Sequence, residues 1–380
     1  MSARLKVVHV GKFYPPHPGG MESHVELLAR LTRDAAEVSV LVSNHGPETV
    51  REVVDGVPVT RIGERLKLGA ASFNSGLARA IREADADVVH FHHPNPTAVL
   101  SWFAARPRGR LVVTYHSDIV RQKVLGPLFS PVLHRFLRRA DAILASSPQY
   151  AASSPVLRRH AGRVRVIPFG IDADELWRIE PAEVAAIRAE HGKRIVFAAG
   201  RLVYYKGFDV LVDAFRRVDA HLLIAGDGPL RSELERRIAE HRIGSKVTLL
   251  GRVPDLRPYY HAADVFALSS VARSEAFGIV QMEAMACGTP VVNTSLDTGV
   301  PFVSPDGVSG LTVPPGDAEA LAGAIGRLLD DDELRVRLGQ GGRARVADEL
   351  SAGRMTRRTL ALYDAVASGR SLPASFDDVR

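Results

Sequence analysis

Two glutamates, Glu275 and Glu283, stand eight positions apart in "SEAFGIVQMEAMACGTPVV", where most other residues are apolar or small. Carboxylates are strong acceptors and suit vicinal ring hydroxyls. Were both helical, they would be rotated by about 80° and separated by about 12 Å, too far to share one proton. We therefore place Glu275 in a loop and Glu283 on the helix that follows, facing one cleft from two depths. The amides of Phe277, Gly278 and Ile279 then open that helix at its positive end, where an anion is favoured. A plainer alternative makes Glu275 a cap and Glu283 an exposed helix residue, but it leaves the apolar surroundings unexplained.

A second group lies in "RIVFAAGRLVYYKGFDVLVDAF". Arg201 follows a strand pattern and Lys206 opens the next helical one. A cation pair flanking such a loop suits a diphosphate, arginine through two oxygens and lysine as a point charge. Either residue alone would read as a solvated surface charge. "VVTYHSD" closes another strand with His116 and Asp118, and a histidine there can hydrogen-bond a hydroxyl or shuttle a proton. In "VVHVGKFYPPHPGGMESHV", Gly19 and Gly20 precede a helix whose amides could approach a phosphate, although a Gly-Gly entry also makes an ordinary turn.

Other candidates carry less. Alternation puts His90 and His92 of "VVHFHHPNP" on one face, with His93 opposite, and a zinc site would need further ligands, so no metal is expected. The Asp-x-Asp pairs Asp85/Asp87 and Asp172/Asp174 read as loop punctuation. Cys287, the single cysteine, sits among small residues as a packed thiol.

These residues must be positioned by strands and helices. Six β-branched runs in each half, from "LKVVHV" to "VRVIPF" and from "RIVFAAG" to "GLTVPP", alternate with patterns of three- and four-residue apolar spacing. Such alternation predicts α/β architecture, two doubly wound domains whose ligands sit beyond the carboxyl ends of the strands. The expected division is a first domain over residues 1–175, a connecting segment over 176–192, a second domain over 193–350, and a C-terminal helix over 351–380 that packs back across the first. The tail "SLPASFDDVR" reads as frayed.

With 380 residues, 46% hydrophobic and 24% charged, the composition is that of a soluble globular protein. No run reaches ~18 consecutive apolar residues. The apolar stretch near the start is too short for a signal peptide, and one cysteine suits a reducing cytoplasm. The net charge of +6 favours anionic partners, and no nucleic-acid motif accompanies it. "VRQKVLGPLFSPVLHRFLRRA", with Arg121, Lys123, Arg135, Arg138 and Arg139, could lie on an anionic bilayer or dock on a sheet with its arginines in water.

On the motifs "SEAFGIVQMEAMACGTPVV", "GRLVYYKGFD", "IAGDGPLRSEL", "VIPFGID", "TYHSDI" and "PPHPGGMESHV", the chain resembles glycosyltransferase family 4 over almost its whole length. The resemblance implies the GT-B fold, two Rossmann-like domains facing each other across a cleft, and a retaining transfer from a nucleotide diphosphate sugar. It implies that the second domain binds this donor and the first the acceptor. By position, Arg201 and Lys206 match the diphosphate pair, Glu283 the ribose-binding glutamate, and Glu275 the one at the donor sugar. Val253 matches the residue whose backbone meets the base, His116 the histidine near the transferred sugar, and Gly20, with Gly19, the phosphate-contacting loop. His17, Glu22 and Asp118 fall on the acceptor side. "VYYKG" departs from the Pro-Glu that many members carry before the lysine, which alters only local loop contacts.

"HHPNP", "TYHSDIVRQK" and "TGVPFVSPDGVSGLTVPPGD" look most like bacterial mannosyltransferases of surface-polysaccharide synthesis. The expectation is hexosyl transfer, best mannose from GDP-mannose, to a glycan or lipid-linked acceptor at the inner face of the cytoplasmic membrane. No cofactor or metal is expected. The alternatives are a UDP-sugar such as UDP-glucose as donor, an epimerase or hydrolase on the same scaffold, or a non-catalytic nucleotide-sugar-binding subunit. An NAD oxidoreductase is disfavoured by the missing G-x-G-x-x-G.

Overall fold

Buried β-branched strands need helices on both faces, and the chain meets that need in two α/β units, Met1–Phe169 with Ala352–Arg380, and Gly170–Ser351. The computed structural model describes residues 4–17, 19–63, 67–68, 71–72, 75–118 and 125–376.

The first unit holds β1 (Lys6–Val10), β2 (Glu37–Ser43), β3 (Val50–Val54), β4 (Val57–Ile62), β7 (Val88–His93), β8 (Arg110–Tyr115), β9 (Ala142–Ala145) and β10 (Val164–Val166) in one sheet. A separate ribbon joins β5 (Lys67–Leu68) to β6 (Ala71–Ser72). The sheet order is β10-β9-β8-β7-β1-β2-β4-β3. All its pairs are parallel except β3 with β4, an antiparallel edge hairpin absent from the expected strands. Its turn, Asp55-Gly56, has φ of 49° and 77°, matching the twist that a two-residue hairpin demands.

The second unit holds β11 (Ile195–Ala199), β12 (His221–Ala225), β13 (Val247–Gly251), β14 (Val265–Ala267), β15 (Val291–Thr294) and β16 (Gly310–Val313), all parallel, in the order β13-β12-β11-β14-β15-β16. This is the doubly wound order 3-2-1-4-5-6, and it realises the expected Rossmann-like architecture. Val196, Leu211, Phe215, Leu222 and Ile224 are sealed in its core. Each such burial contributes roughly 1.5–3 kcal/mol. In both units the strand order reverses beside the first strand, between β1 and β7 and between β11 and β14. Chain connections diverge there and leave a crevice.

The helix Pro181–His191 starts on its proline, stops at Gly192 and belongs to the second unit, where it packs on the helix Arg257–Ala262. The helix Ala352–Ala367 belongs to the first unit and packs on the helix Gly20–Thr32. The frayed tail is corrected as far as Phe376, whose ring is 3% exposed in the first core. Burying an aromatic ring outweighs the freedom of a short terminal segment.

In the helix Leu125–Leu137 the apolar side is docked through Leu133, Phe136 and Leu137, while Arg135, and Arg138 and Arg139 just beyond it, are exposed. Arg121 and Lys123 lie outside the described residues. Leu128 is 75% exposed. Among the described residues no helix is long and apolar enough to cross a membrane. Asp87 accepts the Lys6 amide beside β7, and Asp172 stands at the cap of the short helix Ala173–Leu176.

Candidate active site

The crevice of the second unit is built by two loops. After β11 the chain passes Arg201, makes a 3₁₀ turn over Tyr204–Lys206, and enters the helix Phe208–Ala214 through Gly207. Lys206 thus ends the turn rather than opening the helix. Gly207 has φ 64°, and a Cβ there would stand 2.1 Å from the Ser269 carbonyl, so only glycine lets the loops approach this closely. Ser269 Oγ donates to the Lys206 carbonyl (3.0 Å), and the Val271 amide to that of Tyr205 (2.8 Å).

After β14 the loop carries Ser270 and Glu275, and Gly278 (φ 76°) starts the helix Ile279–Ala286, on which Glu283 lies. Lys206 Nζ stands 2.6 Å from Glu275 Oε2, with side-chain exposures of only 11% and 10%. Ser270 Oγ donates to the same oxygen at 2.9 Å. Burial pulls the Lys206 ammonium down, but Glu275 outweighs it and holds the pKa above the ordinary lysine value. Arg201 is exposed. The site therefore combines one sheltered, permanently charged ammonium with one accessible guanidinium.

Glu283 Oε2 accepts a 2.5 Å hydrogen bond from Tyr260 Oη. Burial raises the Glu283 pKa, against the opposing pull of Tyr260 and Lys206. Ser270 and Tyr260 are site partners that no spacing rule picks out: Ser270 reaches Glu275 through the fold of their shared loop, and Tyr260 reaches Glu283 through the packing of separate helices. Phe277, Gly278 and Ile279 stand at the start of the Glu283 helix, where first-turn amides carry partial positive charge. Val253 is half-buried two residues beyond β13. Cys287 is buried, and burial pushes its thiol up to about 12, which removes it from any nucleophilic role.

In the first unit Gly19 is the cap and Gly20 the first residue of the helix Gly20–Thr32. Glu22 folds back on this end, so that a Cβ at Gly19 would meet its Oε2 at 2.2 Å. Glu22 as a residue is 7% exposed, and burial raises its pKa. His17 pairs with His45 (3.2 Å) and packs at a tilt against Phe13, on which His45 stacks. Asp118, expected to face a ligand, accepts from Tyr115 Oη (3.0 Å) and Ser154 Oγ (2.8 Å), while its amide donates to Tyr150 Oη. Those bonds tie down the loop after β8.

His116 is different. It joins His9, His24, His90 and His92 in a buried group where the strand histidines meet the helix Gly20–Thr32 through His24 and the helix Ala352–Ala367 through Tyr363. His9 pairs with His90 in the register of β1 and β7, so β-sheet alternation puts His9, His90, His92 and His116 on one face. Nitrogen atoms approach at 3.0 Å for His9 Nδ1–His92 Nε2 and at 3.1 Å for His92 Nδ1–His116 Nε2. His90 spends Nδ1 on Tyr363 Oη and Nε2 on Thr114 Oγ1. Burial lowers the pKa of His9 and of His24 to about 3, and lowers His90, His92 and His116 well below the ordinary value. All five are neutral near pH 7.

Among the described residues, His9/His90/His92 and His24/His92/His116 are close enough in threes to ligate an ion. The sequence spacing within β7 finds only part of this group. His9 was legible as a polar residue in an otherwise apolar strand, whereas His24, on a helix, is brought in by packing alone.

The family model for Glycosyltransferase Family 4 matches residues 18–175, and that for Glycosyl transferases group 1 matches residues 180–345. The O-antigen chain mannosyltransferase C of Escherichia coli is 32% identical over 97% of this chain and 100% of its own length. The chain belongs to this glycosyltransferase family. D-rhamnosyltransferase WbpZ of Pseudomonas aeruginosa is 33% identical over 90% of the chain and 91% of its own. The crystal structure of Anabaena HepE in complex with UDP and glucose superposes with a TM-score of 0.80 at 21% identity, covering 95% of this chain and all of HepE. That likeness shows the GT-B fold. This glycosyltransferase is thus a hexosyltransferase, as its motifs led us to expect.

Proposed function

We propose that this glycosyltransferase moves mannose from GDP-mannose to a hydroxyl of a lipid-linked or polysaccharide precursor, with retention of configuration and without a metal. The observation that carries the reading is the sheltered Lys206–Glu275 pair at the crevice between β11 and β14. Charge grows on the departing diphosphate in the transition state, so a pre-aimed ammonium, the Arg201 guanidinium and the helix amides stabilise the transition state more than the ground state. Glu275 keeps Lys206 charged and aimed, and its Oε1 is the oxygen assigned to a donor-sugar hydroxyl. Glu283, oriented by Tyr260, is assigned to the ribose and the Val253 backbone to the base.

His116, Gly19 and Gly20 are assigned to the transferred sugar and a phosphate, and His17 and Glu22 to the acceptor side. The engagement of Asp118 with Tyr115 and Ser154 supports a role in shaping its loop. With no carboxylate assigned as nucleophile, we favour same-face attack in which a leaving-group phosphate oxygen takes the acceptor proton. The mannosyltransferase and rhamnosyltransferase relatives are nearly equally identical, so family membership alone leaves the sugar open. GDP-mannose rests on the motif resemblance, with UDP-glucose as the competing donor. The exposed Arg135, Arg138, Arg139 and Leu128 support peripheral contact with an anionic membrane, at its cytoplasmic face.

A melting-temperature screen across nucleotide sugars tests the donor. A ligand at about a hundredfold its Kd adds about 2.7 kcal/mol to stability. GDP-mannose should raise the melting temperature most, and mannosyl product should form only when acceptor is present. A larger shift with a UDP-sugar would replace the donor, and sugar released without acceptor would favour a hydrolase.

A further inference from the structure

The histidines of the first unit form a directed chain, and its direction has a chemical consequence. His9 Nδ1 meets His92 Nε2 at 3.0 Å, and His92 Nδ1 meets His116 Nε2 at 3.1 Å. A neutral imidazole carries one N–H and one bare nitrogen, so protons along such a chain must all point the same way. The inner end decides which way. His9 is fully buried, and among the described residues its Nε2 has no hydrogen-bond partner. A buried N–H left without an acceptor is rarer than a buried acceptor left without a donor. The proton of His9 therefore sits on Nδ1 and is donated to His92 Nε2. His92 then carries its own on Nδ1 and donates to His116 Nε2, leaving the His116 proton on Nδ1.

We propose that His9 and His92 are positioning residues that lock His116 in the Nδ1–H tautomer, so that His116 meets its ligand as a hydrogen-bond donor and not as a proton acceptor. The proposal rests on the assignment of His116 to the transferred sugar. Phe169 (5.1 Å between ring centroids) and His24 (5.2 Å, edge-on) hold the plane of the His116 ring, completing its orientation. His90 stays outside the chain because both its nitrogens are committed to Tyr363 and Thr114. Both trios spaced for a metal include His92, whose two nitrogens are engaged by His9 and His116, so an ion in either trio would have to take one of them.

Two-bond proton–nitrogen correlation spectra of ¹⁵N-histidine-labelled protein at neutral pH read each tautomer directly. The His116 signal is identified by its loss in His116→Gln. His9, His92 and His116 should all carry the proton on Nδ1, the less common form for free histidine. A His116 proton on Nε2 overturns the proposal, as does one tightly bound metal ion per chain in elemental analysis of the purified protein. In turnover, His92→Asn keeps a donor near the place of Nδ1 and His92→Gln only one near Nε2. His92→Gln should lower kcat by about tenfold with little change in KM for the nucleotide sugar, and His92→Asn should recover most of the loss. Equal turnover of the two also overturns it. If a variant fails to fold, the wild-type spectrum decides alone. A wild-type protein that transfers no sugar refutes the proposed function while leaving the tautomer measurement intact.

Discussion

Lys206 Nζ and Glu275 Oε2 lie 2.6 Å apart, although the two residues are 69 positions apart in the chain. They leave neighbouring strands, β11 and β14, whose connections depart to opposite sides of the sheet. The pair closes the crevice of the second unit with a charge that cannot easily be lost.

Truncating the two cations should therefore have different consequences. Arg201→Ala removes an exposed group and should cut transfer at least about tenfold with unchanged melting temperature. Lys206→Ala should cut transfer as much or more and also cost about 3–5 kcal/mol, because it strands Glu275 as a buried, unpaired charge. Adding Glu275→Ala should restore part of the stability and none of the turnover. Chemical denaturation with steady-state kinetics on the three variants checks this, and full activity of Arg201→Ala would remove it from the diphosphate site.

Tyr260→Phe deletes the hydroxyl that orients Glu283. If Glu283 holds the ribose, binding of ground state and transition state should weaken together. KM for the donor should then rise several-fold, by about 1–2 kcal/mol, with kcat nearly constant. A fall in kcat at constant KM would place Glu283 in the chemistry instead.

The buried imidazoles make the first unit sensitive to acid. His9 and His24 titrate near 3 when folded and near 6.5 when unfolded, so the unfolded chain binds more protons between those values. Stability should be full above pH 6.5 and fall as pH drops towards 3, by about 1.4 kcal/mol per pH unit for each histidine. Urea denaturation at pH 7 and pH 5 measures the loss. A His9→Phe variant that folds should show a slope smaller by about one histidine's share, and an unchanged slope would place the acid sensitivity elsewhere.

Membrane contact through the basic helix predicts sedimentation with vesicles containing anionic lipid and not with neutral ones. Reversing Arg135, Arg138 and Arg139 to glutamate should weaken binding by about a hundredfold or more, since each basic residue near such a surface contributes about 1 kcal/mol. Binding unaffected by the reversal would leave those arginines as ordinary solvated charge.

The sequence by itself determined the class of the fold and the types of residue at its strand ends. Runs such as "RIVFAAG" and "DVFALSS" must be buried on both faces, which requires parallel strands and intervening helices. Eight positions between Glu275 and Glu283 already separate a loop acid from a helix acid. Tertiary structure decided which of these groups meet. Burial of Glu275 became tolerable because Lys206 came in from the loop after β11, with Ser270 of its own loop adding a hydrogen bond, and Asp118 turned to Ser154 through packing that no local period encodes. The histidine chain is the clearest case: His9 and His92 come from β1 and β7 and His116 from the residue just after β8, and their nitrogens align because parallel register brings one face of these neighbours together. Local periodicity sets which side of an element a residue occupies. Strand order and register, fixed by burying the whole apolar surface at once, set its neighbours.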